Sequence, residues 1–229
     1  MNSNVKILYS TKKYRNLTFI KQRYKYCIER IFKNKKNLKV LEYGCGAGDF
    51  LSILKKNKIY HKGLEVDPHQ IFIAKKNGLN VSNNTLSSES NNTYDLCVMF
   101  DTLEHLVDPI SELKTLNKKI KKGGYIICYS PHIYSLAFEL MSNNSNQVYP
   151  FEHLYFFGKK SLHILAKKSG FLVKNFETYG LDLMDYFLYR EFKDKKRYIP
   201  KFKDFINFIQ PIIDKNELGN HFRITLKKK

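Results

Sequence analysis

Three glycines at alternate positions, Gly44, Gly46 and Gly48, separate an apolar run from an amphipathic one in "KVLEYGCGAGDFLSILKK", residues 39–56, and Glu42, Asp49 and Glu65 place carboxylates around them. Glycine permits positive φ and lets backbone N–H groups come close to a ligand. The order G-C-G-A-G-D differs from the G-x-G-x-x-G that seats a pyrophosphate on a helix N-terminus. Asp49 stands where a phosphate would rest, and two negative groups there repel. With Glu42 adding a further carboxylate, the surroundings suit a ligand that carries a cationic amino-acid end. Glu65 closes a second apolar run, "KGLEV", where a carboxylate can accept both hydroxyls of a ribose; the plainer reading is a solvated strand end.

Such groups need elements that hold them at one edge of a sheet. Apolar periodicity predicts an amphipathic helix over residues 16–32, then strand "LKVLEYG", helix "DFLSILKKN" and strand "KGLEV". Asp67 and Pro68 supply an N-cap and a first-turn proline for "HQIFIAKKNG", with Gly78 as its C-cap. A short strand is expected near residues 79–81, a central one at "YDLCVMF" (94–100), a helix at "PISELKTLNKKIKK" (109–122) and a fifth strand after "GG" in "GGYIICYSP". This alternation predicts an α/β fold with a parallel sheet covered on both faces. It lapses after Pro131 in an aromatic and Asn/Ser-rich stretch, which reads as a lid. It resumes with helix "KKSLHILAKKSG" and strand "FLVKNFETYG". Residues 181–217 read as an insertion of two aromatic-rich amphipathic segments, before a last strand, "HFRITLKKK".

The chain of 229 residues, 43% hydrophobic, can bury one sizeable core, and one domain is expected over 1–229, with an N-terminal helical segment (1–36), a lid (133–157) and a helical cap (181–217). No run is long and apolar enough to cross a bilayer and the start lacks a secretion signal, so a cytoplasmic location is expected. Cys27, Cys45, Cys97 and Cys128 are far apart with no C-x-x-C pair, which argues against a disulfide framework or zinc site. The net charge of +19 would attract polyanions. Only six of the 40 basic residues are arginines, however, and phosphate and base readers lean on arginine's planar fork, so dedicated nucleic-acid binding is disfavoured.

Four stretches in order, "VLEYGCGAGDFL", "GLEVDPHQIFIAKKNGLNV", "YDLCVMFDTLEHLVDPISELKTLNKKIKKGGYIICYSP" and "EHLYFFGKKSLHILAKKSGF", together resemble the class I S-adenosylmethionine-dependent methyltransferases, in the small-molecule branch with ubiquinone-biosynthesis O-methyltransferases and sugar-methylating enzymes. The resemblance spans roughly residues 38–180. It implies a Rossmann-like seven-stranded sheet of order 3-2-1-4-5-7-6, the last-inserted strand antiparallel. It also implies S-adenosyl-L-methionine as cofactor: Gly44, Gly46 and Gly48 beneath its methionine part, Glu42 near its amino group, Glu65 on the ribose, Val66 beside the adenine, and Phe100 and Asp101 toward the methionine end. The family's usual acidic or amide residue after the third strand has no clear counterpart in "SNNTLSSES".

Methyl transfer from a sulfonium is an in-line displacement, and orientation alone can contribute about 7–11 kcal/mol. A base is needed when the acceptor is a hydroxyl or a protonated amine, and histidine suits it. His153, in "YPFEHLYFF" where the family's lid meets the active site, is the first candidate as base or orienting group; pinning the lid is its structural alternative. In "FDTLEH", Asp101, Glu104 and His105 stand where quinone-methylating relatives have been associated with a divalent cation; His105 is kept as a catalytic candidate, but shaping and bracing the loop is preferred and no metal is expected. Tyr134, Tyr155, Tyr186 and Arg190 are candidate acceptor contacts, and Arg190 with nearby lysines would suit an anionic acceptor. The expected function is methyl transfer to a hydroxyl or amine of a small metabolite, a saccharide or nucleotide-linked saccharide precursor of a surface polymer. Quinone-type O-methylation and RNA methylation are the alternatives. A non-catalytic or membrane-peripheral role is a third, in which "KFKDFINFIQPIIDK" lies on an anionic membrane as a basic amphipathic segment; Pro211 is expected to break it, and packing as a cap over the active site is preferred.

Overall fold

Seven strands form one sheet in the order β3-β2-β1-β4-β5-β7-β6. The structure is a computed structural model that describes residues 17–32, 37–148 and 151–229. Residues 1–16 and 33–36 of the expected N-terminal segment, and 149–150 of the expected lid, lie outside the described residues. The chain divides into two compact units: the described residues up to Met99 with Lys118–Tyr125, and Phe100–Asn117 with Ile126–Lys229.

In the first unit, α1 (Leu17–Tyr24) continues as a π-helical turn, Lys25–Arg30, so the helix expected over 16–32 changes winding partway. β1 (Lys39–Tyr43) pairs in parallel with β2 (Tyr60–Leu64) and with β4 (Tyr94–Phe100), and β2 pairs in parallel with the short β3 (Val81–Ser82). Val40, Leu41 and Leu64 have almost no exposure. Apolar runs of this kind fit strands covered on both faces. Between the strands run α2 (Asp49–Lys56) and α3 (Pro68–Lys76). The predicted cap of α3 is present: Asp67 Oδ1 accepts from the N–H of His69 at 2.8 Å, Pro68 opens the helix, and Gly78 follows its end with φ +67°. Lys119 Nζ donates to the carbonyls of Ser87 and Glu89 and to Asn91 Oδ1, holding the irregular segment before β4.

The second unit holds most of α4 (Pro109–Lys119) and the apolar end of β5 (Ile120–Pro131). The helix expected to 122 ends at 119, and the strand begins at Ile120 ahead of the glycine pair. α5 (Leu136–Met141), α6 (Lys159–Lys168), β6 (Phe171–Tyr179), α7 (Asp182–Asp194), α8 (Ile199–Lys215) and β7 (His221–Lys228) follow. β6 and β7 pair antiparallel, with an irregularity between Val173 and Asn175. The insertion expected over 181–217 is the helix pair α7 and α8.

Pro211 does not break α8, against the expectation for it. A proline removes one backbone donor and crowds the carbonyl four residues back. Here the inner face crosses that point intact, because Ile206 and Ile213 are buried and Gln210 Nε2 donates to both Asp182 Oδ2 and Asp214 Oδ1 at 2.9 Å. No helix among the described residues is long and apolar enough to cross a membrane.

Candidate active site

The loop after β1 lies in the first unit. The N–H groups of Gly44 and Cys45 both donate to the Leu64 carbonyl, at 2.9 and 3.1 Å, and Gly48 N–H donates to the Cys45 carbonyl at 3.0 Å. Gly46 and Gly48 hold φ of +51° and +83°, in the left-handed region that favours glycine. Their reasons for being glycine differ. A Cβ on Gly48 would run into Leu79 Cδ1, whereas a Cβ on Gly46 would meet nothing within 4 Å. Gly48 is therefore closed in by packing, and the loop at Gly46 borders open space.

Glu65 is wired into this loop. Its Oε2 accepts from Gly46 N–H at 2.7 Å, and its Oε1 accepts from the N–H groups of Val66 at 2.8 Å and Asp67 at 3.0 Å. The carboxylate thus joins the end of β2 to the glycine turn, and Val66 beside it is 86% exposed. Glu42, only 3% exposed, carries an oxygen, Oε2, without a hydrogen-bond partner among the described residues. Burial pushes its carboxyl well above the ordinary range; Arg23 pulls the other way, and Asp49 and Glu65 add to the rise. A buried carboxylate in that state is stabilised by any cation brought to it.

The turn after β4 lies in the second unit. Phe100 packs edge-on to Tyr129, ring centroids 5.1 Å apart, and Asp101 (φ +51°) donates its N–H to the Tyr129 carbonyl at 2.9 Å. Glu104 is buried and accepts from Ser130 Oγ at 2.8 Å. Its carbonyl accepts the N–H groups of Leu154 and Tyr155, at 2.9 and 3.2 Å, tying residues 154–155 to this turn.

That tie brings His105 and His153 together, ring centroids 4.9 Å apart and nearly edge to face. His105 Nδ1 lies 2.6 Å from the Glu152 carbonyl and His153 Nδ1 lies 2.8 Å from the Gln147 carbonyl. A carbonyl only accepts, so each Nδ1 carries the hydrogen and each Nε2 is left as the basic atom. Burial holds the pKa of His153 below the ordinary histidine value; the Gln147 hydrogen bond opposes this and the neighbouring His105 adds to it. Donor atoms of Glu104, His105 and His153 all lie within 4.8 Å of one another, an arrangement able to hold a divalent cation.

The candidate acceptor contacts are scattered. Tyr155 donates to the Val107 carbonyl at 3.0 Å and stacks on Phe157. Tyr134 is exposed and packs over Gly158. On α7, Arg190 donates to Asp194 Oδ2 through Nε at 2.9 Å and to Tyr186 Oη at 3.2 Å, so its guanidinium is already engaged. One polar residue of this region escaped the sequence reading: His221, at the start of β7, has Nε2 4.0 Å from Asp101 Oδ1 and Nδ1 2.8 Å from Asn220 Oδ1. Its only sequence signal was a polar residue opening a final strand.

A family described as "Methyltransferase domain" matches residues 16–174. The chain belongs to this methyltransferase family. Ubiquinone biosynthesis O-methyltransferase of Aliivibrio fischeri (strain MJ11) is 27% identical over 97 residues, 38% of this chain and 42% of the relative. The chain thus spans about two-fifths of the length of the curated relatives it matches. In fold, the chain is similar to a SAM-dependent methyltransferase from Archaeoglobus fulgidus, with TM-score 0.66 and 23% identity over 95% of this chain and 97% of the other. It is also similar to phosphoethanolamine N-methyltransferase 2 of Haemonchus contortus, solved with S-adenosyl-L-methionine, with TM-score 0.60 and 15% identity over 91% of this chain and 52% of the other. The sheet order is that of the class I S-adenosylmethionine-dependent fold, as the resemblance implied.

Proposed function

We propose that this methyltransferase transfers the methyl group of S-adenosyl-L-methionine to a hydroxyl or amine of a small metabolite. One observation carries the reading: a buried carboxylate oxygen of Glu42 without a partner among the described residues, in the same unit as a left-handed glycine loop that borders open space at Gly46. Those residues fit a cofactor with an ammonium group at one end. When bound, S-adenosylmethionine supplies an electrophilic methyl on a sulfonium. Glu42 meets its amino group, Glu65, already fixed by three backbone N–H groups, takes ribose hydroxyls with its remaining acceptor capacity, and Val66 offers an apolar wall to the adenine. The resemblance alone assigns Phe100 and Asp101 to the methionine part.

In the second unit, His153 is the proton acceptor or acceptor-orienting group, and His105 supports it. Its carbonyl-bound Nδ1 and its lowered pKa make Nε2 the unprotonated nitrogen of a neutral ring at physiological pH. Tyr134, Tyr155, Tyr186 and Arg190 are the proposed acceptor contacts, with Arg190 acting only after exchanging Asp194 for the acceptor. The favoured acceptor is a saccharide or nucleotide-linked saccharide precursor, on the resemblance to sugar-methylating enzymes. A phenolic quinone precursor is the second reading, favoured by the ubiquinone-biosynthesis relatives. Incubation with labelled cofactor and a panel of nucleotide-linked sugars, uronic acid derivatives and quinone precursors tests both, and label in none of them rejects both acceptor classes. Calorimetry with S-adenosylmethionine tests the reading beneath them, and no binding overturns it.

A further inference from the structure

Helix α8 turns one face into the second unit and another outward. Ile206, Gln210 and Ile213 are buried. Phe205, Phe208 and Ile212, at i, i+3 and i+7, are 52%, 70% and 48% exposed. That spacing sets the three on one stripe of the helix surface. Phe202 is a different case, since it stacks on Phe187 with ring centroids 4.9 Å apart.

The charge around the stripe is one-sided. Lys195, Lys196 and Arg197 before the helix, and Lys201 and Lys215 on the side of it that carries the stripe, are exposed, while Asp204 beside the stripe is the one exposed acid among residues 195–215. Asp214 is turned inward to Gln210, and Asp194, just before this stretch, is bound by Arg190 and Tyr198.

We propose that the outer face of α8 docks on the surface of an anionic lipid bilayer. An in-plane interfacial helix needs large apolar side chains to enter the headgroup boundary and cations beside them to meet anionic lipid, and lysine stems reach past apolar contacts to keep their charge at that level. A second copy of the chain would set this basic rim against itself. A polynucleotide would satisfy the cations and give the aliphatic Ile212 no dry surface. Pro211 fits the arrangement, because α8 continues through it and the stripe is unbroken.

Flotation of the full chain with vesicles of phosphatidylcholine, with and without phosphatidylglycerol, tests the proposal. The expected result is binding only with phosphatidylglycerol, weakened by salt. Phe205→Ser/Phe208→Ser should reduce it by about tenfold or more, with unchanged thermal melting and cofactor affinity. Phe208→Ser alone, at the most exposed position, serves if the double variant fails to fold. Lys195→Glu/Lys196→Glu should also weaken binding. Absence of flotation overturns the proposal, as do stripe variants that float like the wild type, since charge alone would then explain the binding. Self-association, or affinity for single-stranded RNA, that disappears with Phe208→Ser while flotation persists would assign the face to those occupants and also overturn it.

Discussion

The loop after β1 and the turn after β4 both present polar groups, and they are ordered by different physics. In the first unit the order is local: Gly44 and Cys45 N–H meet Leu64, and Glu65 gathers the N–H groups of Gly46, Val66 and Asp67, so neighbouring strand ends fix the loop through backbone donors. In the second unit the order is long-range: His105 is held by a carbonyl 47 residues away, and the backbone carbonyl of Glu104 accepts the N–H groups of Leu154 and Tyr155. Backbone wiring tolerates few residue types, because a carboxylate that accepts from three donors has no isosteric substitute. A histidine side chain held by one carbonyl can be exchanged while the backbone bonds at Glu104 stay, so the second unit is where acceptor specificity can vary.

The comparison is tested most severely at His153. As a base it is required in its neutral form, and His153→Ala should lower kcat by about 10²–10⁴-fold with S-adenosylmethionine affinity unchanged. Because its pKa lies below the ordinary histidine value, the acid limb of kcat/KM should fall below the ordinary histidine range, and the variant should lose that limb. Unchanged turnover in the variant would reduce His153 to a pin for the lid.

Glu65 offers the reverse test. In Glu65→Gln, the side-chain N–H₂ must face either Gly46 N–H or the pair at Val66 and Asp67, setting donor against donor on one side. A loss of about 1.5–3 kcal/mol in cofactor binding is expected, read by calorimetry, with little change in the histidine pair. Full affinity would show that the acid is a solvated strand end.

The two glycines sharpen the distinction between packing and binding within one loop. Gly48→Ala should cost about 1–3 kcal/mol of stability, since the methyl group meets Leu79 and the residue keeps φ +83°. Gly46→Ala has room for its methyl group and should cost about 1 kcal/mol from its backbone conformation alone, yet should weaken the cofactor because the methyl enters the open side of the loop. Equal loss of melting temperature and of affinity in both variants would contradict the assignment of separate roles.

What was legible in the sequence follows the same division. The strand ends, the glycine turn, Glu65 and the Asp67-Pro68 cap are short-range patterns, and they predicted the loop after β1 and the sheet order through the resemblance. The π-helical turn at Lys25–Arg30 and the early end of α4 were not legible, because apolar periodicity cannot separate windings or fix an end within a few residues. His221 beside Asp101 was missed for another reason: its neighbour lies 120 residues away in sequence and is brought near by the sheet order β4-β5-β7, which no local pattern shows. Asp182, fully buried and accepting from Ala137 N–H, Gln210 Nε2 and Asn220 N–H, reads in sequence as one acid of a surface helix.

The smallest expected effect concerns Asp214, near the end of α8. Burial pushes Asp214 up to about 6, with Gln210 opposing and Asp182 adding to the rise, and Asp182 itself is raised by burial. A carboxyl whose pKa is higher in the folded state than in the unfolded one contributes stability that is complete below the unfolded value and is lost as pH rises through the folded value. Asp214 should therefore cost stability progressively between the ordinary carboxylate range and about pH 6. Asp214→Asn keeps an oxygen to accept from Gln210 and cannot ionise, so it should melt higher than the wild type above pH 6, by about 1 kcal/mol after allowing for solvent screening, and differ little near pH 4. His132 and His153, with lowered pKa values, gain stability as pH rises, so the informative quantity is the difference between variant and wild type at each pH, in which their contributions cancel. A difference that is constant with pH would mean that Asp214 stays ionised in the fold, with Gln210 sufficient to hold its charge.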